Sequence, residues 1–142
     1  MSRIKIDITG KLLATVTLPV RITDINYGNH TGNDSIVGLI QEARMIWLQQ
    51  YRYTELDIDG TGLIMSDLAM EFKNESFYGD ILEIQLFVGE ITKKSFELYY
   101  AITTIRDQTT LVIARAKTGM VCFDYGQKKV ALIPDSLMNK LT

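Results

Sequence analysis

The sequence is poor in the residues that specialised chemistry most often recruits. It has a single cysteine, Cys122, so no disulfide forms within the chain and a multi-cysteine zinc site is excluded. It has a single histidine, His30, which excludes a two- or three-histidine metal centre within one chain. Two prolines and the lack of any Pro/Gly/Ser-rich tract leave no linker at which to divide 142 residues, so one domain spanning 1–142 is expected. Charge of one sign is missing too. Fifteen Lys and Arg against seventeen Asp and Glu give a formal charge of −2, which argues against a strongly basic nucleic-acid binder. No uncharged apolar run approaches the roughly 20 residues that span a bilayer. The opening Met1–Asp7 alternates charged and apolar residues and lacks the apolar centre of a signal peptide. The expectations are a cytoplasmic protein with no metal, no cofactor, no membrane partner and no nucleic-acid partner.

What is present is ordinary for a globular chain: 46% hydrophobic and 23% charged residues. Residues 3–23 read as strand, with β-branched residues frequent and polar and apolar positions alternating. Gly10 is a candidate turn splitting this stretch into a hairpin, and Pro19 marks an edge or bulge near its end. Residues 24–33, DINYGNHTGN, are irregular and rich in the Asn and Gly that tolerate turn conformations. A helix follows, capped by Asn33 or Asp34 and ending near Tyr51–Tyr53. Ile36, Ile40, Ala43 and Trp47 share one face, with Leu39 and Ile46 beside them, the spacing of a buried stripe. Beyond a polar loop at 54–62 the pattern is strand at 63–74, 81–91, 95–107 and 110–124, with turns at 77–80, 92–94 and 107–109. A turn at 125–129, a short strand at 130–133 and an amphipathic tail at 135–141 complete the chain. One long helix against five or six antiparallel strands is an α+β two-layer unit. Its uncovered sheet edges and faces predict association.

Polar groups concentrate at the junction between the irregular loop and the helix: Asp24, Asn26, Tyr27, Asn29, His30, Asn33 and Asp34. A helix N-terminus offers free backbone N–H groups and a partial positive charge, which can hold an oxyanion or polarise a carbonyl. A carboxylate or imidazole beside it can act as a base.

At this junction the chain resembles a known family. Val20–Asp34, VRITDINYGNHTGND, running into Gln41-Glu42-Ala43-Arg44, is similar to the hotdog-fold acyl-CoA thioesterases of the 4-hydroxybenzoyl-CoA thioesterase type. Their motif is approximately D-x-D-x-x-G-H-V-N-N, followed by a long helix carrying E-A-R. Tyr78-Gly79-Asp80 before a long strand and Ala116–Asp124 in the final strands also fit. The resemblance implies a hotdog fold, with a sheet wrapped on a central helix. It also implies an acyl-thioester substrate carried by CoA or an acyl-carrier protein, and homodimers or homotetramers with interface active sites. Asp24, His30 and Asn33 match the first Asp, the His and the last Asn of the motif. The second motif Asp, commonly the catalytic carboxylate, is Asn26 here, and Asn29 stands at the motif Gly. An amide cannot serve as a basic carboxylate, so the fold and an acyl-thioester pocket are implied more firmly than hydrolysis.

The candidate catalytic residues are Asp24, His30 and Asp34, with Asn26 and Asn33 positioning the substrate. The Asn33 position would supply a backbone N–H to the thioester carbonyl. Each has a plainer alternative: Asp24 caps a turn, His30 bonds within its loop, Asp34 complements the helix dipole, and Asn26 holds the loop. Glu42 is expected to pair with a basic residue such as Arg44 in an oligomer rather than to catalyse. Lys93, Lys94 and Arg115 are candidates for nucleotide phosphates, against the plainer reading of a solvated turn. Cys122, Trp47 and the methionines read as core, and Gly28 and Gly32 make no phosphate-binding loop. Thioester hydrolysis is the first functional reading. A non-catalytic thioester-binding protein is the second, and dehydration of a hydroxyacyl thioester by His30 with Asp24 or Asp34 is the third.

Overall fold

A computed structural model describes residues 2–142. The strands are β1 (Leu12–Pro19), β2 (Gly62–Phe72), β3 (Ile81–Ile91), β4 (Ser95–Arg106), β5 (Thr109–Asp124) and β6 (Lys129–Val130). The helices are α1 (Asn33–Gln49) and α2 (Asp135–Leu141). The strands form one antiparallel sheet in the order β1-β3-β4-β5-β2, with β6 paired to the end of β5. The segment that carries α1 lies between β1 and β2, which become the two edges of the sheet.

Period-2 alternation decides which face of the sheet meets α1. Along β3 and β4 the even positions, from Leu82 to Val88 and from Phe96 to Thr104, are buried, and so are Ala114, Ala116, Thr118, Met120 and Cys122 of β5. The apolar stripe of α1 (Ile36, Leu39, Ile40, Ala43, Trp47, Leu48) packs into this face, chiefly over β1 and β3. Trp47 and Cys122 are fully buried, as their surroundings in sequence predict.

α1 is fastened to the sheet by polar groups as well. The Arg44 guanidinium is buried, donating from Nη1 to the Tyr100 hydroxyl at 3.0 Å and from Nε to Glu55 Oε1 at 3.2 Å. Tyr100 and Thr118 share a further hydrogen bond at 2.7 Å. Arg44 therefore pairs within the chain, with Glu55 rather than Glu42; Glu42 is exposed on the opposite side of the helix.

Four sequence expectations need correction. Residues 3–9 are not strand. Only Leu12–Pro19 pairs, because Gly10 turns the chain at φ +105° and Val88 N–H is met by the Lys11 carbonyl just before β1. The α1 N-cap is Gly32, not Asn33 or Asp34. Gly32 is extended, its N–H is held by the Asp24 carbonyl at 2.9 Å, and no side chain caps the helix. The helix ends at Gln49 because Arg52 turns left-handed at φ 60° and Tyr53 N–H returns to the Leu48 carbonyl at 3.0 Å, a Schellman-type closure. The last strand is Lys129–Val130, earlier and shorter than 130–133.

Candidate active site

The loop before α1 is built by its own backbone. Ile25 and Thr31 form a single antiparallel bridge, Asn26 N–H donates to the His30 carbonyl at 3.0 Å, and Asn29 N–H donates to the Asn26 carbonyl at 3.1 Å. Asn29 closes the turn at φ 64°, a conformation Asn tolerates better than most residues. The Asn26 side chain accepts from Gly28 N–H at 2.9 Å, an Asx turn. Its oxygen thus serves the loop.

The loop is clamped to the segment between β2 and β3. Thr31 N–H donates to the Ser76 carbonyl at 2.8 Å, the Thr31 hydroxyl donates to the same oxygen at 3.1 Å, and the Ser76 hydroxyl donates to Thr31 Oγ1 at 2.7 Å. Both residues are buried. Their neighbours, His30 and Glu75, are presented side by side as a result, with His30 Nε2 4.0 Å from Glu75 Oε1. His30 Nδ1 lies 3.1 Å from the Thr31 carbonyl. A carbonyl oxygen only accepts, so Nδ1 carries the proton and Nε2 of the neutral ring keeps its lone pair.

A cavity of about 250 Å³ opens here, lined by His30, Asn33, Ile36, Phe72, Glu75 and Ile113, among others. Asn33 is the first residue of α1 and lines this cavity with Ile36, so the start of the helix, which no side chain caps, borders it. The apolar residues come from α1, the end of β2 and β5. Lys73 is a cation on the rim, paired with Glu71 at 3.2 Å.

The other acids lie elsewhere. Asp24 is buried and accepts from Arg21 N–H at 2.8 Å and from the Arg21 guanidinium at 3.2 and 3.3 Å. Burial pushes its pKa up, but the Arg21 hydrogen bonds outweigh that and hold it below the usual carboxylate range. It faces a different cavity, of about 290 Å³, shared with Ser35, Gly38 and Glu42. Asp34 is exposed and lines neither cavity; its carboxylate folds back over Gly32. Of the five candidate residues, His30 and Asn33 share one cavity. Asn26 adjoins them, since a Cβ placed on Gly28 would lie 3.2 Å from His30 Nε2 and 3.3 Å from Asn26 Oδ1. Lys93 and Lys94 are remote. Their turn abuts the Cys122 end of β5, whereas the cavity is at Ile113. Sequence reasoning missed Glu75, along with Phe72 and Ile113.

The family model of the thioesterase-like superfamily matches residues 20–141. The chain belongs to the thioesterase-like superfamily. Solved structures agree on the fold. The PA2801 protein of Pseudomonas aeruginosa is 19% identical, covering 93% of this chain and 100% of its own, with a TM-score of 0.84. A 1,4-dihydroxy-2-naphthoyl-CoA thioesterase from Synechocystis is 20% identical, covering 89% of this chain and 93% of its own, with a TM-score of 0.79. The SAV2348 protein of Staphylococcus aureus, solved in complex with CoA, is 15% identical, covering 96% of this chain and 85% of its own, with a TM-score of 0.78. No curated protein matches the chain in sequence. The sheet wrapped on one long helix is the hotdog fold. Within the superfamily this chain carries an amide, Asn26, committed to its own loop, and places a histidine and a glutamate together at the helix N-terminus.

Proposed function

We propose that the protein hydrolyses acyl thioesters. One observation carries the reading: the uncapped N-terminus of α1 opens onto the same cavity as His30. A thioester carbonyl placed there is polarised by first-turn N–H groups, and the negative charge that develops on its oxygen is stabilised by those donors and the helix dipole. His30 Nε2, with its lone pair set by the Nδ1 contact to Thr31, takes a proton from water as the water oxygen attacks the carbonyl carbon. The tetrahedral intermediate collapses, the carbon–sulfur bond breaks with its electron pair going to sulfur, and the imidazolium returns the proton to the leaving thiolate. Free acid and thiol result. Asp24 and Asp34 have no part in this scheme. Superfamily membership supports hydrolysis, and the relatives described with CoA support CoA as carrier.

Thiol release from a panel of short, long and aromatic acyl-CoAs tests the reading. Turnover with at least one class is expected, and His30→Gln should lower kcat by about 100-fold or more. Absence of turnover across the panel by folded protein would sink it. One observation favours a binding protein instead: the residue at the position of the motif's second Asp is an amide turned into its own loop. Calorimetry with a non-hydrolysable thioester separates the two, because a binder shows affinity without turnover.

A second copy is part of the proposed functional unit. On the helix-facing side, Met65, Leu68 and Phe72 of β2 lie opposite Met120, Thr118 and Ala114 of β5. They remain exposed because α1 sits over the far half of the sheet. A homodimer or homotetramer that covers β2 also encloses the cavity at its Phe72 end.

A further inference from the structure

The geometry points to Glu75 as the second catalytic group of the site, holding the attacking water jointly with His30. This rests on the hydrolytic reading above and deepens it. Once Nδ1 is protonated toward the Thr31 carbonyl, Nε2 and Glu75 Oε1 are both acceptors, and they face each other at 4.0 Å. Two acceptors do not bond each other, and the separation is too long for a close ion pair with a charged ring. It suits a water between them. With hydrogen bonds of about 2.8 Å to each, a water spans the gap at an angle of roughly 90°, near its own bond angle. Such a water gives one proton to each acceptor, which leaves its lone pairs directed away from both and free to attack.

Buried bonds bring the backbones that carry the pair together, while the Glu75 side chain itself stays exposed. Thr31 and Ser76, one residue beyond each partner, are joined by three hydrogen bonds across 45 positions of sequence. Glu75, like His30 and Asn33, lines the cavity at the start of α1. Among the described residues no other carboxylate lines it: Asp24 is committed to Arg21, and Asp34 folds back over Gly32. In the reaction, one water proton passes to His30 Nε2 and is later delivered to sulfur. The other stays hydrogen-bonded to Glu75, whose negative charge stabilises the imidazolium formed in the transition state. The new carbon–oxygen bond and the broken carbon–sulfur bond balance with no further reactant.

The experiment is steady-state kinetics on the protein with the best acyl-CoA of the panel. Glu75 is an exposed side chain, so Glu75→Gln and Glu75→Ala should fold with unchanged melting temperature. Glu75→Gln should lower kcat by about 100-fold with KM changed less than about twofold. Glu75→Asp should recover part of the loss, and added formate should restore a measurable fraction of kcat to Glu75→Ala but not to His30→Ala. A purely structural role for Glu75 gives no formate rescue. If the wild-type enzyme turns over and Glu75→Gln keeps its kcat, the assignment of Glu75 is overturned while hydrolysis stands. If the wild-type enzyme shows no turnover, both readings are overturned.

Discussion

At the scale of single residues, two titratable groups lie outside the proposed active centre for opposite reasons. Cys122 is fully buried in β5, and burial pushes its thiol up to about 11. The thiolate is the reactive form. The folded protein should therefore take up no thiol reagent at pH 7.5 and one equivalent after unfolding in guanidinium, read by mass spectrometry. Stoichiometric labelling of native protein would contradict the burial. Asp24 is buried but satisfied, its carboxylate held low by Arg21 despite the opposing effect of burial. The sign follows from linkage. A depressed carboxylate contributes stability that is present above the unfolded value, about 3.9, and is lost as the pH falls through the lower folded value. Asp24→Asn should cost about 1–2 kcal/mol at pH 7, with wild type falling toward the variant in acid as the Asp24 carboxylate is protonated, since the amide has no charge to lose. Denaturant melts at several pH values test this, and a gap constant down to acid pH would refute the pairing. Asp24→Asn should also leave kcat within about twofold, unlike His30→Gln, because Asp24 faces another cavity.

At the scale of elements, the Arg44 network decides how α1 sits on the sheet. The guanidinium reaches Glu55 in the following loop, Tyr100 in β4 and, through Tyr100, Thr118 in β5. Arg44→Ala strands the buried polar ends of its partners and should cost about 3–5 kcal/mol. Tyr100→Phe removes one neutral hydroxyl, the acceptor for Arg44 Nη1, and should cost about 1 kcal/mol. Equal destabilisation of both variants in urea melts would show that Arg44 is not the hub. This network also marks where the sequence could be read and where it could not. The spacing of Ile36, Ile40, Ala43 and Trp47 is a property of the helix itself, and the alternation in β3, β4 and β5 is a property of each strand. These elements were therefore legible. Residues 3–9 have the same alternation but lie beyond Gly10, whose backbone turns the chain out of register with β3, so that Ile6 is buried against β2 and donates its N–H to the Glu71 side chain instead of joining a ladder. Half of the candidate site, His30 and the Asn33 helix start, was legible for a similar reason, being set by local turn and helix chemistry. Glu75 was not, because it arrives through the Thr31–Ser76 clamp, a contact with no local signature. The Arg44–Glu55 pairing has no local signature either, and Glu42, near Arg44 in sequence, lies on the wrong side of the helix.

At the scale of the whole molecule, one helix cannot cover a sheet of this width. α1 takes the β1–β3 side, so Met65, Leu68 and Phe72 on the core-facing side of β2 stay exposed, and among the described residues β2 is an edge strand beyond its Leu63 N–H, which bonds the Glu55 carbonyl. An apolar strip on an unpaired edge is where a second copy gains most. An antiparallel β2–β2 contact would extend the sheet through both chains and bring the two strips together. The same contact has a functional consequence, since Phe72 and Lys73 belong both to the end of this strip and to the cavity wall. Light scattering behind size-exclusion chromatography at micromolar concentration should give a dimer or a multiple of it. Leu68→Lys places a charge at the centre of the strip, away from the described cavity, and should shift the protein toward monomer with its circular dichroism retained. If the cavity is completed across the contact, kcat/KM should fall with the fraction of dimer and recover at high protein concentration, a dependence that damage to an isolated site would not produce. A wild-type protein that is monomeric and fully active would refute both the pairing through β2 and the shared site.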